Sequence, residues 1–165
     1  MEILRVVVLI AAAGTMGLMA GVFGLYSNAI MPGLRSTDDR TFVGAFQAID
    51  RSILNPVFMV VFVGALLLSG AAALLHLPDG QRSVLPWTVA AFVLYLAVFV
   101  ITIVVNVPLN DRIKAAGEPD QIDARSVRAQ FDEGKWVRWN HVRSVASIAG
   151  FGCLIWALVE HGGGA

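Results

Sequence analysis

Residues Trp136 to Val159 read WVRWNHVRSVASIAGFGCLIWALV. From Val142 onward the stretch approaches the length and apolarity needed to cross a bilayer, whose ~30 Å hydrocarbon core takes about 20 residues of helix. Three more runs of this kind lie at about residues 6–31, 57–77 and 85–107. They fill more than half of a 165-residue chain that is 57% hydrophobic and only 15% charged, outside the usual composition of a soluble domain. The sequence predicts an all-α integral membrane protein. Its expected form is a single membrane domain over residues 1–165, an antiparallel bundle of four transmembrane helices, with long connections at 32–56 and 108–141.

The first run follows Arg5 but is too long for the apolar region of a secretory signal. Tyr26, Ser27 and Asn28 stand where a small-residue cleavage site would be, so it reads as a helix. Basic and acidic residues balance at twelve each, giving no overall pull toward nucleic acid. Their placement is uneven, since every Lys and Arg except Arg5 and Arg82 lies in or beside the two long connections. The positive-inside rule then puts both connections in the cytoplasm and both termini outside. Cys153 is the single cysteine, which excludes an intramolecular disulfide or a dithiol relay.

The connection between the second and third runs carries Pro78-Asp79-Gly80 turn chemistry, suited to antiparallel neighbours, and the C-terminal HGGGA reads as a frayed tail. In the first long connection Ser36 and Asp39 have capping-box spacing. Phe42, Phe46, Ile49 and Ile53 then recur at helical intervals, predicting an amphipathic interfacial helix over 37–54, between the first and second transmembrane helices. Residues 118–135 are charged and poorly periodic and predict a short exposed helix. In the first run Gly17, Gly21, Gly24 and Asn28 share one face. Close helix packing through Gly17 and Gly21 is one reading, and space for a flat ligand ending at Asn28 is the other.

Polar residues collect at one end of the bundle: Asn28 on the first helix, Asn55 before the second, Asn106 and Asn110 closing the third, Asn140, His141 and Arg143 opening the fourth. Polar atoms in hydrocarbon are costly unless partnered. Pro108 removes an N–H and crowds the carbonyl of Val104, so the end of the third helix should kink or unwind, with Asn106 and Asn110 on one face. Trp136, Trp139, Asn140 and Arg143 form one helical stripe. An aromatic belt with snorkelling arginines accounts for Trp136 and Arg138; it accounts less well for Arg143, one turn deeper. His141 is the one imidazole nearby and a candidate base at neutral pH. No His-x-x-His, helical Glu-x-x-His or Cys pair is present, so no metal site is expected.

The stretches QAIDRSILNP, NVPLND and W-x-x-WNHVR, in this order and spacing, resemble the anthrone oxygenase (DUF1772) family of small four-helix membrane proteins. The resemblance implies a monooxygenase that converts an anthrone-like polycyclic phenol to a quinone, with O₂ as co-substrate and no other cofactor, in a bacterial plasma membrane. Its motif positions here are Asn55, Asn106, Pro108, Asn110, Trp136, Trp139, Asn140, His141 and Arg143. On this reading His141, Arg143 and Asn140 are the candidate catalytic residues. Asn28, Asn55, Asn106, Asn110, Trp136 and Trp139 are the candidate substrate contacts. The expected partners are a hydrophobic aromatic small molecule, the lipid bilayer and a second copy of the chain, with no nucleic acid. Two other readings stand beside it: a non-catalytic membrane protein that binds a lipid, quinone or partner helix, and a haem-binding protein using His141.

Overall fold

The computed structural model describes residues 1–77 and 83–163. The Pro78-Asp79-Gly80 turn and the last two residues of the tail lie outside the described residues. Among the described residues four helices are long and apolar enough to span a membrane: α1 (Glu2–Arg35), α3 (Pro56–Leu75), α4 (Leu85–Ala115) and α6 (Glu133–Gly163). Two shorter ones, α2 (Asp39–Ile53) and α5 (Ala124–Phe131), occupy the long connections. The fold class is the all-α four-helix membrane bundle that the hydropathy predicts. Helix α1 packs on α3 and α6, and α4 packs on the same two, closing a ring.

Helix lengths place the rest. At 1.5 Å per residue the 20 residues of α3 just match the hydrocarbon thickness, whereas the 34 of α1 and 31 of α4 and of α6 overshoot it by roughly 15–20 Å. The overshooting ends carry a second core. Inside the span, Leu9, Met16, Met19, Phe62, Tyr95 and Leu154 are packed together. Beyond it, Met31, Phe42, Phe46, Leu109, Ile113, Phe131 and Trp136 form a separate cluster roofed by α2 and α5.

Helix α2 is amphipathic as its periodicity predicts, and its apolar face is turned inward against α5 and the end of α4. Its cap differs from the expected Ser36. Because α1 continues to Arg35, the Ser36 hydroxyl donates back to the carbonyl of Gly33 at 2.7 Å, and Asp38 caps α2 by accepting from the Arg40 and Thr41 amides, both at 3.1 Å. Helix α5 departs from the exposed helix expected of its charged sequence. Phe131, at its last position, is fully buried, 4.6 Å from the Phe46 ring centroid. Arg128 holds this roof down: its Nη1 donates to the carbonyl of Thr37 and to Asp39, its Nη2 pairs with Glu133 at 3.3 Å, and its guanidinium covers the Phe42 ring at 4.2 Å.

The third transmembrane helix does not stop near Val107. Thr102–Asn106 is a π turn, in which the Val107 amide bonds to the Thr102 carbonyl five residues back, and the helix then resumes through Pro108 to Ala115. The wider turn accommodates the proline ring while the carbonyl of Val104 is left without its usual donor. Helix α1 repeats the device at the same end, with a π turn at Tyr26–Ile30 followed by Pro32. Helix α6 begins at Glu133, nine residues before the expected Val142, so WVRWNHVR lies wholly within it. At its other end it continues to Gly163 in place of a frayed tail, with His161 buried and its Nε2 2.8 Å from Glu2.

Close packing falls on one of the expected pair, Gly17, with Gly150 of α6 as the other tight position in place of Gly21. A Cβ on Gly17 would sit 3.0 Å from Phe151, and one on Gly150 only 2.7 Å from Met16 Sδ, so both mark tight α1–α6 contact. Gly21 and Gly24 have open space beside them and neither packs against a helix nor lines a cavity. Gly150→Val should therefore destabilise the bundle by about 1–3 kcal/mol, while Gly21→Ala should leave it unchanged or slightly stabilised. Thermal denaturation in detergent, followed by size-exclusion recovery, measures both. The cap has its own signature. Hydrogen bonds from Thr41 hold the Asp38 carboxyl below its usual value, so its contribution is present at neutral pH and is lost as pH falls through that lowered value. Acid unfolding of Asp38→Ala should lack this component.

Candidate functional site

Between the two cores, where the π turns of α1 and α4 face α6, lies a cavity of about 80 Å³. Aromatic rings supply much of its wall: Phe23 and Tyr26 from α1, Phe46 from α2, Phe58 from α3 and Trp136 from α6. Its polar groups are Thr102, Asn106 and Asn110 from α4, Asp50 from α2 and Arg143 from α6.

Arg143 is 5% exposed and pairs with no carboxylate among the described residues. Neutral groups solvate it instead. Its Nη1 donates to Thr102 Oγ1 at 3.1 Å and its Nη2 to Asn140 Oδ1 at 2.8 Å, and the guanidinium rests 4.5 Å from the Phe23 ring and 5.5 Å from that of Trp136. Among the described residues the Nε–H has no partner. Neither does Asn106 Oδ1, although the Asn106 Nδ2 donates to the Trp136 carbonyl at 3.4 Å. The cavity thus contains a cation without a counter-ion, one buried donor and one buried acceptor, each costly to leave unmade.

A second row fixes Arg143 from behind. Asn140 Nδ2 donates to the Phe23 carbonyl at 3.0 Å and to Ser27 Oγ at 2.7 Å, leaving its Oδ1 for the guanidinium. Ser144 donates to the Asn140 carbonyl at 2.9 Å, so in the 2.9 Å contact between the two serines Ser27 is the donor. On the other wall Trp136 Nε1 donates to Asn110 Oδ1, Asn110 Nδ2 donates to Asp50 Oδ1, both at 2.7 Å, and Lys114 Nζ lies 2.9 Å from Asp50 Oδ2. Helix register explains this convergence. Asn106 and Asn110 are one turn apart on α4, and Trp136, Asn140 and Arg143 share a stripe of α6.

The structure brings together Asn106, Asn110, Trp136 and Arg143 around the cavity, with Asn140 directly behind Arg143. It leaves out the others. His141 is exposed on the outer side of α6, one residue and about 100° round from Asn140, and is not part of the lining. Asn28 is exposed on α1. Asn55 is spent on the cap of α3, accepting from the Phe58 amide and donating to the Ser52 carbonyl, both at 3.0 Å. Trp139 is half-buried and outside the lining. Sequence reasoning missed Tyr26, Asp50 and Thr102. Asp50 lies on the same helix face as Phe46 and Ile53, a carboxylate in an apolar stripe, which is the signal that marks it.

The sequence model of anthrone oxygenases matches residues 58–153, more than half of the chain. The chain belongs to the anthrone oxygenase family. The match covers nearly all of α3, the whole of α4 and α5 and most of α6, and with them Thr102, Asn106, Asn110, Trp136, Asn140 and Arg143. No curated protein and no solved structure matches. In this chain, then, the polar side chains of the cavity other than Tyr26 and Asp50 come from the matched segment. Asn140→Ala should leave the Arg143 Nη2 without its oxygen acceptor and lower stability by roughly 1–3 kcal/mol, an effect measurable as a loss of melting temperature and reduced when Arg143→Met is combined with it.

Proposed function

We propose that this protein is a cofactor-independent membrane oxygenase that oxidises an anthrone-type phenol to a quinone in the cavity beside Arg143. The observation that carries the reading is the buried, carboxylate-free guanidinium with its unpaired Nε–H. Such a cation is complementary to an oxyanion that develops during reaction. Family membership supports the reaction class.

An anthrone methylene flanked by two aromatic rings and opposite a carbonyl loses a proton to give an enolate, whose negative charge resides on the former carbonyl oxygen. Arg143 is the donor to that oxygen, held in place by Asn140 and Thr102. Asn106 Oδ1 accepts a hydrogen bond from a neighbouring phenolic hydroxyl. Asp50, the carboxylate of the lining, takes the role of proton acceptor in place of the exposed His141. The electron-rich enolate carbon then reacts with O₂. In the net change the CH₂ becomes C=O, one oxygen atom is retained and the other leaves as water, so that four electrons pass from carbon to O₂ with no external reductant. The aromatic wall keeps bulk water from the anion and offers faces for stacking.

Anaerobic loading with an anthrone followed by admission of oxygen tests the assignment through the rate of quinone absorbance. Arg143→Gln should slow the reaction about 10²–10³-fold, the usual effect of removing an oxyanion donor. Asp50→Asn should slow it, and His141→Ala should match wild type. A wild-type rate in Arg143→Gln would place the chemistry elsewhere.

A further inference from the structure

The oxidation proposed for the cavity releases no proton overall, yet protons must move within it more than once. Two C–H bonds of the methylene break, and both hydrogens end on the oxygen that leaves as water. Asp50 takes the first proton as the enolate forms. The enolate carbon then passes electrons to O₂ and a C–O bond closes, giving a peroxide anion whose outer oxygen takes up a proton. In the last step the second C–H proton goes to the base and its electron pair becomes the C=O bond. The O–O bond breaks, and the outer oxygen departs with that pair. Hydroxide is a poor leaving group, so a positioned acid at this oxygen speeds the step.

Direction limits where such an acid can stand. An enolate carbon reacts through the face of its π system, so the peroxide rises out of the ring plane, whereas Arg143 addresses an oxygen at the ring edge. Other donors of the wall are committed. The Thr102 hydroxyl donates to the Val98 carbonyl at 2.8 Å, and Trp136 Nε1 donates to Asn110 at 2.7 Å. Asp50 is tied at both oxygens, by Asn110 at 2.7 Å and by Lys114 at 2.9 Å, and is not free to swing from the carbon to the peroxide. Tyr26 differs from all of these. Its ring belongs to the aromatic wall, 5.7 Å from that of Trp136, and among the described residues its hydroxyl makes no hydrogen bond. It lies within electrostatic reach of both Asp50 and Arg143. It also opens the π turn of α1, a distortion that is frequent at functional sites.

We infer that Tyr26 is the general acid of the oxygen half-reaction, giving its phenolic proton first to the peroxide anion and again to the departing oxygen. After each transfer the phenolate recovers from Asp50 the proton that Asp50 took from carbon. Both groups therefore end as they began, and the second oxygen atom leaves as water. A phenol ionises near ~10 and water near ~15.7, so transfer to a departing hydroxide runs downhill. The role rests on the proposed reading of the cavity as an anthrone site, and supplies the group that completes its oxygen chemistry.

The test is rapid-quench analysis of the full chain in phosphatidylcholine vesicles, loaded anaerobically with 1,8-dihydroxyanthrone and mixed with oxygenated buffer, with the protein-free reaction subtracted. Enolate absorbance reports the first proton transfer. Mass spectrometry separates the hydroperoxide, which is substrate plus two oxygen atoms, from the quinone. Tyr26→Phe should form enolate at the wild-type rate, then accumulate hydroperoxide and release quinone at least tenfold more slowly. Quinone at the wild-type rate without hydroperoxide would overturn the inference. So would a parallel slowing of enolate and quinone, the mark of a ring that only shapes the wall. 4-Fluorophenylalanine at position 26 fills the volume of the hydroxyl without its proton and covers a failure of Tyr26→Phe to fold. Hydroperoxide should accumulate in it too, and its absence there would equally overturn the inference. A wild type that forms neither enolate nor quinone removes the anthrone site and this role with it. A wild type that forms both, matched by Tyr26→Phe, leaves that site standing and removes only the acid.

Discussion

A guanidinium held at the edge of a membrane-spanning bundle without a carboxylate is the constraint around which this molecule is arranged. Moving a cation out of water costs several kcal/mol unless its donors are met. Here that cost is offset by two side-chain oxygens and two aromatic faces, all supplied by neighbouring helices. None of these neutralises the charge. The Asn140, Ser27 and Ser144 row fixes direction as well as contact, because each donor in it has one acceptor to serve. The consequence is a field of fixed sign aimed at a small aromatic chamber.

The backbone is adapted to the same point. Two π turns, each two residues ahead of a proline, flank the chamber on α1 and α4. A π turn rotates the residues beyond it relative to those before it, so the side chains of Tyr26, Thr102 and Asn106 project inward from helices that would otherwise present aliphatic surface. Local geometry that is unfavourable by itself thus persists where the surrounding second core, with Phe46, Phe131 and Trp136 in mutual contact, encloses it.

The bundle was legible in the sequence because hydrophobic length is a bulk property: four apolar runs near the thickness of hydrocarbon admit few alternatives. Boundaries were less so. Hydropathy falls at Trp136 and Pro108, yet α6 starts earlier and α4 ends later, since the helices continue through the juxtamembrane core where polar residues are tolerated. The same limit governs the site. Arg143, Asn106, Asn110 and Trp136 were visible as polar or amphipathic groups on apolar faces. His141 was visible as chemistry, but adjacent residues on a helix point about 100° apart, and the burial of Asn140 and Arg143 turns His141 outward. Phe131 belongs to a segment whose packing partners are distant in sequence, which no local pattern encodes.

The lining of the chamber is divided between elements in a way that separates two kinds of selection. The guanidinium, its supporting amides and the paired asparagines of α4 sit on helices locked into the closed ring, whereas much of the aliphatic rim is borne by α2, an element tied to the bundle through its inner face, Arg128 and Asp50. Substitutions on the outer positions of α2 can reshape this rim without disturbing the buried polar groups of the ring. A scaffold so partitioned leaves the hydrophobic wall free to vary while the guanidinium and its supports stay fixed.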